Sequence, residues 1–151
     1  MLYLPYMIYV AGDQHGWKAI GFVIEYLLAH GVAYENLGVS DAGQDRPLEE
    51  MLPPVAEKVR ATNVNRAIVS CGTGVGVEVG MNKFAGIRAV LATNPQIASW
   101  SVEKDNCNVL CLVGWQAEKG IIYNILDAWF AARYDGSPKR LAMMKTFDTW
   151  H

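Results

Sequence analysis

Residues 68–90 read IVSCGTGVGVEVGMNKFAGIRAV, and the fold turns on how this stretch is understood. Ile68, Val69 and the residues before them form a near-continuous apolar run. Such a run suits a strand buried on both faces of a parallel sheet. Cys71 closes it, and Gly72, Gly74 and Gly76 follow at once, where a chain must turn sharply before a helix. Strand, tight turn and helix together form the repeating unit of an α/β layer fold.

Outward from that unit the same alternation recurs. On the N-terminal side, 6–11 reads as a strand bounded by Gly12 and Asp13, and 17–29 as a helix stopped by His30-Gly31. A short strand at 32–37 leads into a loop at 38–47, and Pro47 opens a helix running to about Ala61. The third strand is 66–70, with a short helix at 77–83 after the glycines. On the C-terminal side, 87–92 is a strand and Asn94-Pro95 starts a helix to about Lys104. A strand at 108–113, a helix at 117–133 and a tail helix after Ser137-Pro138 complete the pattern. These elements predict an α/β fold: a single-domain, three-layer αβα sandwich around a five-stranded parallel, Rossmann-like sheet. Ligands of such sheets bind at the carboxyl ends of the strands. Three loops therefore matter most: 12–17, 41–47 and 71–76.

Composition narrows the function. The chain has 151 residues, 52% hydrophobic and 19% charged, with a net charge of −2. That size fits one domain spanning 1–151, and the balance gives no basic footprint for nucleic acid. The three cysteines, Cys71, Cys107 and Cys111, form no disulfide-like pattern, which points to a reducing, cytoplasmic setting. The apolar start, MLYLPYMIYVAG, lacks a basic n-region and meets Asp13 long before a membrane-spanning length, so it reads as a strand rather than a leader or a span. His15, His30, His151 and the thiols show no metal-ligand spacing, so no metal or other cofactor is expected.

Counting tests the glycine loop against familiar chemistries. A phosphate-binding P-loop requires Lys-Ser/Thr after its last glycine, where Val77-Glu78 stands; a dinucleotide fingerprint requires a glycine at 77. A cysteine phosphatase loop would place an arginine at that same position. What survives is a thiol beside backbone N–H donors and a helix start, an arrangement suited to a nucleophile, to a proton-abstracting base, or to an inert cysteine over a turn.

The segment 71–90 closely resembles the type B ribose-5-phosphate isomerases and the related galactose-6-phosphate isomerase subunits. Cys71 to Gly76 matches that family's Cys-Gly-Thr-Gly-x-Gly, and Asn82 to Ala89 matches its Asn-Lys-x-x-Gly-x-Arg-Ala. Asp13 with Gly16, Asp45 with Pro47, Asn108-Val109, Asp127 to Trp129, Tyr134 and Gly136 extend the likeness over roughly 7–140. The resemblance implies a cofactor-independent aldose–ketose isomerase that moves a proton between C1 and C2 of a sugar phosphate. It implies Cys71 as the base, with Thr73 and the backbone of Gly72, Gly74, Val75 and Gly76 holding an enediolate oxygen. Asp13 would meet substrate hydroxyls, and Asn82 and Lys83 would shape the loop. It further implies a homodimer or homotetramer with shared sites and with the tail, about 137–151, packed on a neighbouring subunit.

The departures from the family fall where substrates are chosen. Gln14 stands where the family has histidine after Asp13, with His15 displaced by one. Arg46 replaces the tyrosine of Asp-Tyr-Pro. Lys104, followed by Asp105, replaces a ring-opening histidine, and Gln116 aligns with a phosphate-binding arginine. Lys139 and Arg140 represent the family's C-terminal arginines. The pattern admits a relocated phosphate clamp, a substrate without phosphate, or an open-chain four-carbon substrate. The five tryptophans, Trp17, Trp100, Trp115, Trp129 and Trp150, read as core or interface. The alternative to an active isomerase is a non-catalytic sugar-phosphate-binding or partner subunit of the same fold; a thiol hydrolase lacks a Cys–His–acid set.

Overall fold

The computed structural model describes residues 6–41 and 43–150. Residues 1–5 of the apolar start, Ala42 of the second loop and His151 lie outside the described residues. The order is β1 (Ile8–Gly12), α1 (Trp17–Ala29), β2 (Tyr34–Asn36), α2 (Leu48–Arg60), β3 (Arg66–Cys71), α3 (Val75–Met81), β4 (Ala89–Leu91), α4 (Pro95–Asp105), β5 (Val109–Val113), α5 (Lys119–Ala131) and α6 (Pro138–Phe147). All five strands are parallel, as expected, in the order β2-β1-β3-β5-β4.

The three central strands are the apolar runs IYVAG, RAIVSC and VLCLV, buried along almost their whole length because helices cover both faces. One face packs α1, α4 and α5 on Ile8, Val10, Ile68, Leu110 and Leu112. The other packs α2 and α3 on Tyr9, Ala11, Val69, Cys71 and Cys111. Alternate residues of each strand supply the two faces. β1 therefore sends its chain to the α1 face, while its neighbour β3 sends its chain to the α2–α3 face. The crevice between their carboxyl ends is the topological switch point, where such sheets hold ligands.

Several boundaries differ from expectation. β4 keeps only three residues, α3 begins two residues earlier than predicted, and a 3-10 turn (Gly114–Gln116) joins β5 to α5. α2 carries Pro53 and Pro54 inside the helix. Burial of Met51, Leu52, Val55, Ala56 and Val59 on its inner face holds the helix through the two missing N–H donors. Among the tryptophans only Trp129 lies in the core, at 0% exposure, with the Arg66 guanidinium 3.4 Å above its ring. Burial lowers the Arg66 pKa to about 10. Trp100, Trp115 and Trp150 are half or more exposed, so of the two expected places, core or interface, they do not occupy the core.

The enclosed thiols on β5 and before it make stability sensitive to alkali. Burial raises Cys107 from 9.0 to about 12, and Cys111 goes well above that ordinary value. The unfolded chain releases these protons near pH 9 while the folded chain keeps them, so stability is lost as pH rises from about 9 towards 12. Urea midpoints should therefore fall between pH 8 and pH 10.5, and less so in Cys111→Ala. Equal falls in the two proteins would remove Cys111 as a cause.

Candidate active site

The carboxyl ends of β1, β3 and β5 are stitched together before any side chain is considered. Asp13 N–H donates to the Ser70 carbonyl at 3.3 Å, and Trp115 N–H donates to the Gly72 carbonyl at 2.9 Å. The Ser70 hydroxyl donates to the Leu112 carbonyl at 2.8 Å. Gly114 sits where the three loops converge: a Cβ there would stand 2.7 Å from the Cys71 carbonyl and 2.9 Å from Gly16 Cα. Only glycine lets the loops approach so closely.

Cys71 ends β3 with its side chain on the α2–α3 face, 5% exposed. A Cβ at Gly76 would lie 3.6 Å from its Sγ and 3.0 Å from Leu48 Cδ1, so the start of α2 and the start of α3 flank the thiol. Gly74 turns the chain into α3 with φ +77°, a left-handed conformation that glycine adopts without strain. The Thr73 hydroxyl accepts the Val75 N–H at 3.1 Å. The Val75 N–H is therefore already paired, which counts against the expectation that it holds an oxyanion. Among the described residues, the N–H groups of Thr73 and Gly74 find no protein acceptor. The N–H groups of Gly72 and Gly76 likewise find none, so the loop leaves four donors open.

Asp13 is buried at 7% and sits across from β3. Its Oδ1 accepts the N–H groups of His15 and Gly16, both at 2.9 Å, which shapes the turn into α1. Among the described residues no protein donor reaches its Oδ2. Gln14 beside it has a buried side-chain oxygen with no partner among the described residues. His15 is exposed, its ring edge-on to Trp115 at a centroid distance of 5.6 Å. Arg46, on the β2–α2 loop at this same end of the sheet, is half-buried and donates to the Leu37 carbonyl.

The remaining candidates lie elsewhere. Asn82 caps the C-terminus of α3, one helix length from the glycine loop, and its amide clamps both the N–H and the carbonyl of Ala89 at 2.9 Å. Arg88 Nε donates to the Asn106 carbonyl at 2.6 Å, and the Asn108 amide holds Gly86 and Arg88. Much of the 82–89 motif thus closes the α3–β4 turn. Lys104 and Asp105 end α4, which runs antiparallel to the strands, so they sit at the amino end of the sheet, away from Cys71. There Lys104 pairs with Asp135 at 3.7 Å and Arg140 with Asp105 at 3.1 Å, with Lys139 exposed alongside on α6. Within one chain these residues do not reach the thiol, and the expectation of a site shared between subunits is the one that would bring them to it.

Sequence reasoning missed Trp115. Its side chain is 66% exposed yet its indole lies directly on Gly72, where a Cβ would come within 2.6 Å of Cζ2. No sequence signal separates such a tryptophan from a core one. Among the described residues, no three His, Cys, Asp or Glu side chains gather as a metal would require, and no helix is long and apolar enough to cross a membrane.

The chain is similar in sequence and fold to known proteins. Ribose-5-phosphate isomerase B of Escherichia coli (strain K12) is 33% identical over 129 residues, covering 80% of this chain and 84% of that one. The 4-deoxy-4-sulfo-D-erythrose isomerase of Clostridium sp. (strain MSTE9) is 30% identical over 108 residues, covering 72% and 68%. The crystal structure of ribose-5-phosphate isomerase B from Mycoplasma genitalium with bound ribulose-5-phosphate superposes with a TM-score of 0.90 at 25% identity, covering 99% of this chain and 100% of that one. The Ribose/Galactose Isomerase family model matches residues 8–145, so nearly the whole chain is accounted for, and the protein belongs to that family.

Proposed function

We propose that this chain is an aldose–ketose isomerase acting on a small sugar phosphate, with Cys71 as the base that moves a proton between C1 and C2. The observation that carries the reading is the position of Cys71 at the switch point, between the start of α3 and the open N–H groups of Thr73 and Gly74. Proton removal next to a carbonyl requires a base and a stabiliser for the enediolate oxygen, and this loop supplies both without a cofactor. Asp13 Oδ2 accepts a sugar hydroxyl and fixes which carbon faces the thiol. The relatives named for ribose 5-phosphate and for a sulfonated four-carbon sugar support a small, anionic sugar as substrate.

At the carboxyl end, Arg46 is the cation nearest the start of α2 and serves as the anion clamp; guanidinium suits a planar, two-point grip on phosphate. Lys104, Lys139 and Arg140 lie at the opposite end of the sheet, so they join a site only from a second copy of the chain. A homodimer with shared sites fits that separation. The same separation, with Lys104 and Arg140 already paired to Asp135 and Asp105, is what favours the second reading, a non-catalytic partner subunit.

Two measurements separate these. Ketose formation should be followed across C4 to C6 aldose phosphates and free sugars; turnover of at least one phosphorylated aldose is expected. Binding without turnover by any of them would favour the partner-subunit reading. Arg46→Ala should weaken binding of a phosphorylated sugar about tenfold relative to its free counterpart. An unchanged preference would remove Arg46 as the clamp.

A further inference from the structure

β4 is the outer strand of the sheet, and the covering of its open edge joins it to the glycine loop. Arg88 and Ala92 face β5: the Arg88 carbonyl accepts from Asn108 and Val109, and Ala92 N–H donates to the Cys111 carbonyl at 3.3 Å. In a parallel ladder the alternate residues, Ala89 and Leu91, then point their backbone groups away from β5. Both N–H groups find side chains one turn apart along α3 and its cap. Asn82 takes that of Ala89, and Glu78 Oε1 accepts that of Leu91 at 3.1 Å. Covering an edge in this way blocks pairing with another chain.

Glu78 also reaches the loop. The Leu91 side chain lies against Gly74, where a Cβ would come within 2.6 Å of its Cδ1. Glu78 N–H donates to the Gly74 carbonyl at 3.4 Å. Gly74, at φ +77° and with its own N–H open, is thus braced by both Glu78 and the residue Glu78 holds. On its other flank α3 lies on α2, where a Cβ at Gly80 would meet Leu52 Cδ1 at 2.5 Å. A helix of seven residues has little stability of its own, so such contacts decide where its first turn sits. Glu78 is the one charged residue of α3 and is half-buried. Its charge opposes a developing oxyanion nearby, so any gain in rate comes through its hydrogen bond.

We propose that Glu78 is a positioning residue for the isomerisation: through Leu91 it sets the Gly74 turn, and with it the direction of the loop N–H groups toward the enediolate oxygen. This rests on the isomerase reading for what the loop stabilises, though the contact from Glu78 through Leu91 to Gly74 does not. Donors that are slightly misaimed still admit substrate but stabilise the transition state less, so the loss falls on kcat.

The test compares Glu78→Ala, Glu78→Gln and Asn82→Ala with the parent on D-ribose 5-phosphate and D-erythrose 4-phosphate, well below the thermal midpoints. Glu78→Ala should lower kcat by roughly 10–100-fold with KM changed far less. Glu78→Gln keeps the acceptor oxygen and should restore most of that loss. Asn82→Ala opens the same edge one turn farther from Gly74 and should lower kcat less. Turnover unmoved by Glu78→Ala, a loss that Glu78→Gln does not restore, or an equal loss in Asn82→Ala would overturn the positioning role and leave the isomerase standing. Hydrogen exchange gives a readout that needs no turnover: amides of 72–78 should exchange about tenfold faster in Glu78→Ala and near the parent rate in Glu78→Gln. That exchange pattern without turnover by the parent would keep the positioning of the loop and overturn the isomerase. Neither turnover nor a change in exchange would overturn both.

Discussion

Cys71→Ala is expected to lower kcat for isomerisation by roughly 10²–10⁴-fold, the usual contribution of a positioned base. Its thermal midpoint should move by only a few degrees, because the thiol is a small side chain whose loss opens a small cavity. Substrate affinity should survive, since Asp13, Arg46 and the backbone donors remain. The combination distinguishes a base from a packing residue. A structural role would predict a lower midpoint with activity falling in proportion to the folded fraction. Alkylation with peptide mapping gives a parallel readout: modification of Cys71 should abolish turnover, whereas modification of Cys107, the more exposed thiol, should not. Bound substrate should slow labelling of Cys71.

Trp129→Ala should cost about 3–5 kcal/mol, the largest stability effect expected of any single side chain here. Trp129 is fully enclosed beneath α1 and α4, packs edge-on to Phe130 at 5.2 Å and covers the buried Arg66 guanidinium. Its removal leaves a large void and takes the aromatic surface from a charge with an unpartnered nitrogen among the described residues. A thermal midpoint lower by roughly 10 °C or more is expected for a chain of this length. Trp129→Phe should recover much of it. A shift of only a degree or two would mean that neighbouring side chains collapse into the space.

Some of this architecture is readable in the amino-acid string and some is not, for physical reasons. IYVAG, RAIVSC and VLCLV announce themselves because a strand covered on both faces must be apolar at every position. β2, by contrast, is three half-exposed residues at the sheet edge, and β4 is equally short, so neither imposes a pattern strong enough to set its ends. The glycine loop is legible because left-handed φ and close loop packing admit few other residues. Which end of the sheet a residue occupies is a different matter. Lys104 follows its helix to the amino end of the sheet, while Arg46 precedes its helix at the carboxyl end; this follows from chain direction once the fold is known. Asn82, Arg88 and Asn108 carry the family motif yet spend their polar atoms on one turn. Motif matching alone does not separate a residue that holds the loop from one that touches a ligand. Trp115 shows the converse, a side chain at the site mouth that no motif includes.

The central claim is that the Cys71 thiolate takes a proton from the sugar. Solvent exchange tests it without needing the preferred substrate to turn over fast. D-Ribose 5-phosphate and D-erythrose 4-phosphate are incubated with the protein in deuterated water, and C1 and C2 are followed by NMR. The account predicts deuterium at C1 or C2 with the parent protein and none above background with Cys71→Ala. Equal incorporation by the two proteins would contradict it and place the base elsewhere.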